Sequence, residues 1–254
     1  MGKYNSSIYR VRPLMEIIEK EYQAFLQLLA LLGIPPLGIP KILRYDGEHC
    51  SEMQLKPNKD HLVALINYIA QKKDIKTPVR GKERQNLFYG SQAERNEACA
   101  KACTELEQNY DRITATDRPW YVFEGFTNPD IFIEGEDYVI VCEGKWTEPH
   151  ITTTTTHLSS PGESRNQMIR HIQGALNYTN KKVYAFYIVD AACGYTDDLA
   201  VASFYAQLER ETIQPDEIEK KAILESYYGF ITWQDIKSAI PNVIFKEKQE
   251  ISGK

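Results

Sequence analysis

The sequence has no apolar run long enough to cross a membrane. Its most apolar segment is FLQLLALLG at positions 25–33, about half of the roughly 20 residues that a membrane-spanning helix requires. The opening segment, MGKYNSSIYR, contains no apolar core of the kind that a secretory signal carries. Both absences predict a cytoplasmic protein with no membrane partner.

An excess of basic residues is also missing. The 30 Lys and Arg residues are outnumbered by 35 Asp and Glu residues, and the formal net charge is -5. A protein that coats nucleic acid over its whole surface is basic, so that class is excluded. A local basic groove stays open, because residues 161–182 carry several basic residues against a single acidic one. The basic residues are Arg165, Arg170, Lys181 and Lys182.

Cysteine is scarce as well. The chain has 5 cysteines, an odd number that cannot close into disulfide pairs, so a disulfide-stapled scaffold is excluded. Cys99 and Cys103 share a predicted helix, but no second pair of Cys or His follows at the spacing of a structural zinc site. We therefore predict reduced thiols and no zinc.

Helical periodicity dominates both ends of the 254-residue chain. It predicts helices over 12–32, 59–73 and 91–110, with a loop over 74–90. Towards the C-terminus it predicts helices over 197–209, 215–228 and 233–239. This pattern divides the chain into an N-terminal helical region (1–88), a core (89–210) and a C-terminal helical extension packed on the core (211–254).

The middle of the chain is rich in β-forming residues. Its runs are WYVFEG (120–125), DIFIEG (130–135), DYVIVCEGKW (137–146) and KVYAFYIVD (182–190). The reversal at 135–137 predicts a hairpin, and the last run is apolar on both faces, as a central strand is. A predicted helix over 164–179 precedes that run, and such a crossover favours parallel pairing. The order predicts an α/β fold, a mixed β-sheet flanked by helices with extra N-terminal helices.

Two carboxylates and a lysine are the chemically informative residues of these strands. Residues two apart in a strand share a face, so Glu143 and Lys145 point the same way. We expect Asp130 to reach Glu143 only if the strands are offset or the chain bends near Asp130. Two close carboxylates repel each other, and Mg²⁺ or Mn²⁺ relieves that repulsion. A surface ion pair between Glu143 and Lys145 is the structural alternative.

Such a group of residues has the parts that phosphodiester hydrolysis needs. A divalent cation lowers the pKa of its bound water, and a lysine stabilises charge that develops in the transition state. The next helix, SRNQMIRHIQGALNY (164–178), places Gln167 and His171 together along one border of its apolar stripe. We expect both side chains to face the site. The alternative is that both are ordinary residues at the boundary of a packed helix, with no role in a site.

The residues PD at 129–130, EGK at 143–145 and Gln167 resemble the PD-(D/E)XK nuclease superfamily. The resemblance covers about residues 90–190 and implies a restriction-endonuclease-like fold. It implies that Asp130 and Glu143 bind Mg²⁺ (or Mn²⁺). It also implies that Lys145 assists the attacking water and that Gln167 orients Lys145 or the nucleophile.

The superfamily pattern is not met in full. Many members carry Q-x-x-x-Y on this helix, and His171 stands here in place of Tyr. Many members also add a glutamate from a helix before the sheet. Glu94, Glu97 and Glu105 are candidates for that role, with Glu124 as another acidic neighbour, and the sequence assigns none of them.

The resemblance implies a metal-dependent endonuclease, with DNA as the expected substrate in restriction, repair or defence against mobile elements. Phosphates are expected to meet Arg165, His171, Lys181 and Lys182, and binding should then weaken as salt rises. A homodimer stays open, because nucleases that cut both strands often dimerise.

Two other interpretations remain. The same fold could bind nucleic acid or protein without efficient catalysis, which the acidic net charge and His171 leave open. The aromatic segment ESYYGFITW (225–233) could form a partner surface, although we expect it to pack in the core. The tract ITTTTTH (151–157) is predicted as an extended edge or loop whose hydroxyls could contact phosphates.

Overall fold

The computed structural model describes residues 5–47, 49–72, 78–148, 153–155 and 164–246. The strands within these ranges form a large and a small sheet. They are β1 (Ile42–Tyr45), β2 (Ile131–Glu134), β3 (Tyr138–Gly144), β4 (Thr153–Thr155), β5 (Ser164–Asn166), β6 (Lys182–Val189) and β7 (Tyr227–Thr232).

Helices surround the larger sheet. They are α1 (Arg12–Lys20), α2 (Tyr22–Leu31), α3 (Lys59–Gln71), α4 (Lys82–Tyr89), α5 (Gln92–Asn109), α6 (Gln167–Tyr178), α7 (Thr196–Leu199), α8 (Val201–Leu208), α9 (Glu217–Ser226) and α10 (Trp233–Ala239). A π-helical turn, Ser7–Val11, leads into α1, and a 3₁₀ turn, Tyr110–Arg112, follows α5. Capping boxes at Ser91 and Thr232 fix the starts of α5 and α10.

The larger sheet is five-stranded, with the order β1-β2-β3-β6-β7. The first three strands pair antiparallel, and β3 pairs parallel with β6, as β6 does with β7. The β2–β3 hairpin turns at Gly135, where an added Cβ would overlap the Tyr138 ring, so glycine is required there. The helix α6 lies in the connection from β3 to β6, which gives the parallel pairing its crossover.

Both faces of the sheet are covered. One face carries Tyr138, Ile140 and Cys142 and shares an apolar cluster with residues of α1, α2 and α10. The opposite face carries Val139 and Val141 and packs against α6, α8 and α9. A third cluster joins α3, α4 and α5 to residues 113–123. The alternation along β3 therefore places Glu143 on the face that α6 covers.

The predictions for the middle of the chain are largely confirmed. The hairpin, the parallel crossover and the central place of 182–190 are all present. The protein is thus α/β, with a mixed sheet flanked by helices. No helix in the described ranges is both long and apolar enough to span a bilayer. Within the threonine tract, 153–155 form β4, and its other residues lie outside the described ranges.

The three predicted parts of the chain share the sheet. Residues 1–88 supply β1 and residues 211–254 supply β7, so the N- and C-terminal regions are not purely helical. The helix predicted over 215–228 ends at Ser226, because the next residues form β7. Burial alternates along that strand, as expected of a strand, and Gly229 within it has a φ of 79°. The helix α4 occupies the predicted loop, and the helix predicted over 12–32 is broken by extended backbone at Glu21.

Residues 120–125 form no strand, contrary to the prediction. The Arg84 side chain donates from Nε to the carbonyl of Trp120 at 2.7 Å. Its Nη2 donates to the carbonyls of Pro119 and Val122, each at 3.1 Å. These carbonyls are therefore satisfied by a guanidinium rather than by a neighbouring strand.

Candidate active site

Asp130 and Glu143 meet through the register of the β2–β3 hairpin. Ile131 pairs with Cys142, so the next positions outward along the ladder are 130 and 143. Asp130 Oδ2 accepts a hydrogen bond from the Gly144 N–H at 2.8 Å, which fixes the side chain beside the end of β3. Of the two conditions expected from the sequence, the strand offset is not needed, because the turn is centred midway between these two residues, and the bend of the chain at Asp130 is present.

The Glu143 carboxylate is the centre of the site. It is 3 % exposed and accepts hydrogen bonds from three side chains. Its Oε1 accepts from Lys145 Nζ at 2.6 Å and from Gln167 Nε2 at 2.9 Å. Its Oε2 lies 3.0 Å from His171 Nε2. The structure thus brings Gln167 and His171 to the site, as their place on the helix predicts.

His171 is a buried neutral ring held in one tautomer. Its Nδ1 lies 2.8 Å from Thr127 Oγ1, opposite the contact of Nε2 with Glu143. A carboxylate only accepts hydrogen bonds, so Nε2 carries the proton and Nδ1 accepts from the threonine hydroxyl. Burial lowers the pKa of His171, which keeps the ring neutral near pH 7.

Lys145 is fixed through both its side chain and its backbone. Its Nζ lies 3.4 Å from Gln167 Oε1 in addition to its contact with Glu143. Its backbone N–H donates to Ile188 O, and its carbonyl accepts from Trp233 Nε1 at 2.8 Å. Burial alone would lower the pKa of Lys145, but Glu143 outweighs it and the pKa is raised, so the side chain is an ammonium.

The carboxylates of the site differ in their ionisation. Burial and then the charge of Glu143 raise the pKa of Asp130 well above its usual value. Burial would also raise the pKa of Glu143, but Lys145 and His171 outweigh it, so that pKa is lowered. Glu52 is a third carboxylate nearby, its Oε2 within 3.4 Å of Asn128 Nδ2, and burial raises its pKa, with Glu143 contributing. Glu143 and Lys145 are therefore the charged pair of the site, and without a cation the protonated form of Asp130 is favoured.

The residues present fit a hard divalent cation. Asp130 and Glu143 offer carboxylate oxygens, the ligands that Mg²⁺ and Mn²⁺ prefer. A carboxylate has about four acceptor positions, and the described contacts use three on Glu143 and one on Asp130. No group of three or more His, Cys, Asp or Glu side chains is placed to hold a metal in the described residues. Mg²⁺ needs only one or two protein carboxylates because it keeps several waters.

Gly144, the middle residue of EGK, lies where two helical segments approach the strand. An added Cβ would lie 2.9 Å from Val11 Cγ2 and 3.1 Å from Trp233 Cζ2. The same Trp233 donates to the Lys145 carbonyl, so its close approach helps to hold the lysine.

Gly144→Ala is expected to destabilise the protein by about 1–3 kcal/mol, the usual cost of forcing a methyl group into a packed core. Urea denaturation measures this loss. Gly194→Ala is the matched control, because an added Cβ there meets nothing within 4 Å. Equal stability of the two variants would contradict the tight packing at Gly144.

Two of the residues expected to contact phosphates are buried instead. Arg165 is 8 % exposed and pairs with Glu124 and with Glu211, the latter at 2.8 Å from Nε to Oε2. His171 is fully buried. Neither the charge of Arg165 nor the place of His171 on the border of the helix shows that carboxylates distant in sequence cover these side chains. In this arrangement Arg165 and His171 do not form a nucleic-acid surface.

Lys181 and Lys182 lie at the wrong end of the sheet for a groove at this site. Lys182 is in register with Tyr138, whereas Tyr187 is in register with Glu143. Five residues of strand, at about 3.3 Å each, separate the two ends. Lys181 pairs with Glu134 at 2.6 Å, at that far end. These two lysines therefore do not contact a phosphate bound at Glu143.

The candidate helix glutamates do not join the site. Glu94 belongs to the capping box of α5, and Glu105 accepts from Trp120 Nε1 at 2.7 Å. Glu97 is exposed on the same helix. Glu52 and Thr127 were not found from the sequence, because they lie outside any motif and approach the site only through tertiary packing. Trp233 ends the aromatic segment 225–233, which was expected to pack in the core, but its contact with Lys145 was not predicted.

Glu124 is the centre of a second buried cluster beside α6. It accepts from Arg165, and it lies 3.3 Å from Arg170 Nε and 3.2 Å from His61 Nε2. Glu211 belongs to the same cluster because it is the other partner of Arg165. It also accepts a hydrogen bond from the Asn166 N–H at 2.9 Å. Arg165 and Arg170 flank Gln167 in the chain, so the cluster fixes the start of the helix that carries Gln167 and His171.

Asn166 supplies the N-terminal cap of α6. Its Oδ1 accepts from the backbone N–H groups of Met168 at 2.8 Å and Ile169 at 3.2 Å. The capped end and the buried cluster place Gln167 over Glu143. Comparison with protein-family models, with curated proteins and with solved structures finds no match to this chain.

Proposed function

We propose that the protein is a metal-dependent nuclease that hydrolyses phosphodiester bonds, with DNA as the expected substrate. The observation that carries the proposal is the convergence of Asp130, Glu143 and Lys145 at one end of the β2–β3 hairpin. Gln167 bridges the latter two, because its amide donates to Glu143 and faces Lys145. A surface ion pair does not explain this arrangement, since both members are buried.

Each residue of the site has a role that its contacts support. Asp130 and Glu143 would hold Mg²⁺ or Mn²⁺, which when bound lowers the pKa of its water and neutralises phosphate charge. Lys145 donates to the attacking water or to the developing phosphate charge. Gln167 holds Lys145 and Glu143 in a fixed relation, and His171 orients Glu143 through Nε2.

The reaction follows from these roles. The oxygen of a water molecule attacks phosphorus, and the bond from phosphorus to the departing sugar oxygen breaks. The water loses a proton as it attacks, and the departing sugar oxygen gains one. Lys145 is an ammonium in this environment, so it supplies positive charge and hydrogen bonds rather than acting as the base.

The topology supports a restriction-endonuclease-like fold. An antiparallel hairpin carries Asp130 and the EGK residues, a helix follows, and the next strand pairs parallel with the EGK strand. This is the arrangement that the resemblance to PD-(D/E)XK nucleases implies. The helices α1, α2 and α10 pack on the sheet face away from Glu143, so that face is closed to substrate.

The test of this proposal is cleavage by purified protein of supercoiled plasmid, linear duplex and single-stranded DNA in Mg²⁺, in Mn²⁺ and in EDTA. We expect cleavage that needs the metal and that Asp130→Asn abolishes, together with loss of Mn²⁺ binding in calorimetry. Lys182→Ala, at the far end of the sheet, should cleave as the wild type does. Cleavage in EDTA, or cleavage by Asp130→Asn at the wild-type rate, would overturn the proposal.

His171→Ala is expected to weaken Mn²⁺ binding by about 10- to 100-fold, the typical loss when the partner of a metal ligand is removed. His171 touches Glu143 and Thr127, and its removal frees the carboxylate to rotate. His171→Gln keeps an N–H donor and should recover part of the affinity. Calorimetry at matched ionic strength measures all three proteins, and equal weakening in both variants would contradict an orienting role.

Binding without cleavage is the second candidate function. The observation that favours it is that Lys145, Gln167 and His171 already satisfy Glu143. A carboxylate so fully engaged is stable with no metal. DNA binding that is independent of Mg²⁺ and unaffected by Asp130→Asn, with no cleavage, would identify this role.

A further inference from the structure

The candidate active site needs donors for phosphate beyond its own side chains. Proteins usually neutralise several phosphates of a nucleic acid with lysine and arginine. The four residues expected from the sequence to contact phosphates are buried or lie at the far end of the sheet, and Lys145 is the ammonium that pairs with Glu143. Backbone N–H groups also bind phosphate in nucleic-acid complexes, so those beside Lys145 are further donors.

Two consecutive backbone N–H groups converge on one position directly after Lys145. The N–H of Trp146 donates to Glu148 Oε2 at 2.6 Å, and the N–H of Thr147 donates to the same oxygen at 2.9 Å. Successive N–H groups in a turn form a concave site for anions. The oxygen that occupies this position belongs to a carboxylate, so it stands in for an oxygen of a phosphate.

The chain that carries these donors is held in place. The N–H of Lys145 donates to the Ile188 carbonyl at 2.8 Å, and the Lys145 carbonyl accepts from Trp233 Nε1 at 2.8 Å. Trp146 is 3 % exposed, and the Arg10 guanidinium lies 3.9 Å from the centre of its ring. Donors that are fixed before the ligand arrives bind it without a cost of reorganisation.

Glu148 is held less firmly than the donors it contacts. Its side chain is half-buried, and its described hydrogen bonds are the two with these N–H groups. No lysine or arginine pairs with Glu148 within the ranges that the structure describes. Because Glu148 follows the two donors in the chain, rotation of its side chain alone releases both N–H groups.

The position also lies within electrostatic reach of Lys145. Burial would lower the pKa of Lys145, and the charges of Glu143, Asp130 and Glu148 raise it. The Glu148 carboxylate therefore acts on the Lys145 ammonium. An anion that replaced this carboxylate would meet the same positive charge.

We infer that the backbone N–H groups of Trp146 and Thr147 bind a phosphate of the nucleic-acid backbone, and that Glu148 occupies their position until substrate displaces it. The inference rests on the proposed function, since it assigns the donors that hold the substrate of that site. A phosphodiester has a negative charge and acceptor oxygens, so it accepts the same two hydrogen bonds as the carboxylate. In the free protein, Glu148 competes with substrate.

An NMR titration of the ¹⁵N-labelled full chain with the dinucleotide thymidylyl-thymidine, in EDTA, tests the inference without any cleavage. We expect the amide resonances of Trp146 and Thr147 to shift and to saturate as the dinucleotide is added. The methylphosphonate analogue, whose linkage carries no charge, should leave both resonances in place.

Glu148→Gln should reach saturation at a dinucleotide concentration at least about tenfold lower, because a competing like charge is removed. Its amide oxygen still accepts the local hydrogen bonds. Asp190→Asn is the matched control, since Asp190 follows β6 at the same end of the sheet and accepts instead from the Ala192 N–H at 3.0 Å. This control should bind the dinucleotide as the wild type does.

Equal gains in affinity in Glu148→Gln and Asp190→Asn would show general repulsion between like charges and overturn the inference. Amide resonances of Trp146 and Thr147 that do not respond to the dinucleotide would also overturn it. The wild-type titration decides the question if circular dichroism shows that Glu148→Gln does not fold.

Failure of the proposed function gives a different result. Saturable binding through these N–H groups, with no cleavage of DNA in Mg²⁺, would exclude the nuclease and retain the phosphate site. Metal-dependent cleavage with unresponsive N–H groups would exclude the phosphate site alone.

Discussion

Replacing Lys145 by methionine is expected to abolish metal-dependent cleavage while divalent-metal binding persists. Lys145 Nζ lies 2.6 Å from Glu143 Oε1 and 3.4 Å from Gln167 Oε1, so the ammonium sits beside the proposed metal ligand. Methionine keeps the buried aliphatic stem and removes only the donor and its charge. We expect kcat/KM to fall about 100- to 1,000-fold, the loss typical of one group that stabilises developing charge.

Metal binding by the same variant should be at least as tight as in the wild type. Lys145 is the cation that engages Glu143 among its described contacts, and its removal leaves that carboxylate and Asp130 without a balancing charge. Mn²⁺ should then raise the Tm of Lys145→Met more than that of the wild type, because binding to the folded state stabilises it. Calorimetry and thermal unfolding with and without Mn²⁺ measure both effects.

Lys182→Met is the control for this experiment, because it removes a lysine from the same sheet at the end far from Glu143. It should change neither cleavage nor Mn²⁺ binding. Cleavage by Lys145→Met at the wild-type rate would exclude a catalytic role for the lysine. Loss of cleavage and Mn²⁺ binding together would show that Lys145 maintains the site instead of acting in the reaction.

The centre of the site could be predicted because it lies within one hairpin and the helix that follows. The period of a strand puts Glu143 and Lys145 on one face, and the period of a helix puts Gln167 beside His171. The position of Asp130 was harder to predict, because it depends on the turn. A turn centred midway between Asp130 and Glu143 makes them neighbours with no offset.

The prediction of a basic groove at this site was wrong, because charge alone does not show what a side chain contacts. Arg165 meets Glu124 and Glu211, which lie 41 and 46 residues away in the chain. Lys182 begins a strand parallel to β3, so it must align with the start of β3 and not with its end. The direction of a parallel pair therefore excludes this lysine from a site at Glu143.

The short edge strands were missed for a related reason. β1 has four residues and pairs with a strand almost 90 positions later, so no local pattern marks it. β7 follows a helix without a break, and its sequence YYGFIT has no alternation of polar and apolar residues to mark the alternating burial that it adopts. In both cases the strand is selected by an unpaired sheet edge, which the sequence of the segment does not contain.

Glu124→Gln is expected to destabilise the fold by about 3–5 kcal/mol, the cost of breaking a buried ion pair from one side. Glu124 contacts Arg165, Arg170 and His61, and its side chain is 4 % exposed. Glutamine keeps the size and shape of the side chain but removes the charge that balances the two guanidinium groups. Urea denaturation of the two proteins at neutral pH measures the difference.

A second substitution separates loss of charge from loss of packing. The cluster has two carboxylates, from Glu124 and Glu211, and two guanidinium groups, from Arg165 and Arg170. Arg170→Met in the Glu124→Gln background restores the balance of charge, so the double variant should be more stable than Glu124→Gln alone. A coupling free energy of about 0.5–3 kcal/mol is typical of such pairs, and strictly additive losses would contradict the ionic account.

Acid should narrow the stability difference between the wild type and Glu124→Gln. Burial alone would raise the pKa of Glu124, but Arg165, His61 and Arg170 outweigh it and hold that pKa well below its usual range. In the unfolded chain the pKa is about 4.3, so the contribution of Glu124 is complete above that pH. It is then lost by about 1.4 kcal/mol per pH unit as pH falls towards the folded pKa.

Glutamine does not titrate, so the difference in the free energy of unfolding should stay constant from about pH 7 to about pH 4.5 and shrink below that. Denaturation curves at intervals across this range measure it. A difference that persists unchanged to about pH 3 would mean that Glu124 titrates in the fold as it does in the unfolded chain. Arg165 and Arg170 would then not stabilise its charge, and the start of α6 would owe its position over Glu143 to the Asn166 cap and apolar packing instead.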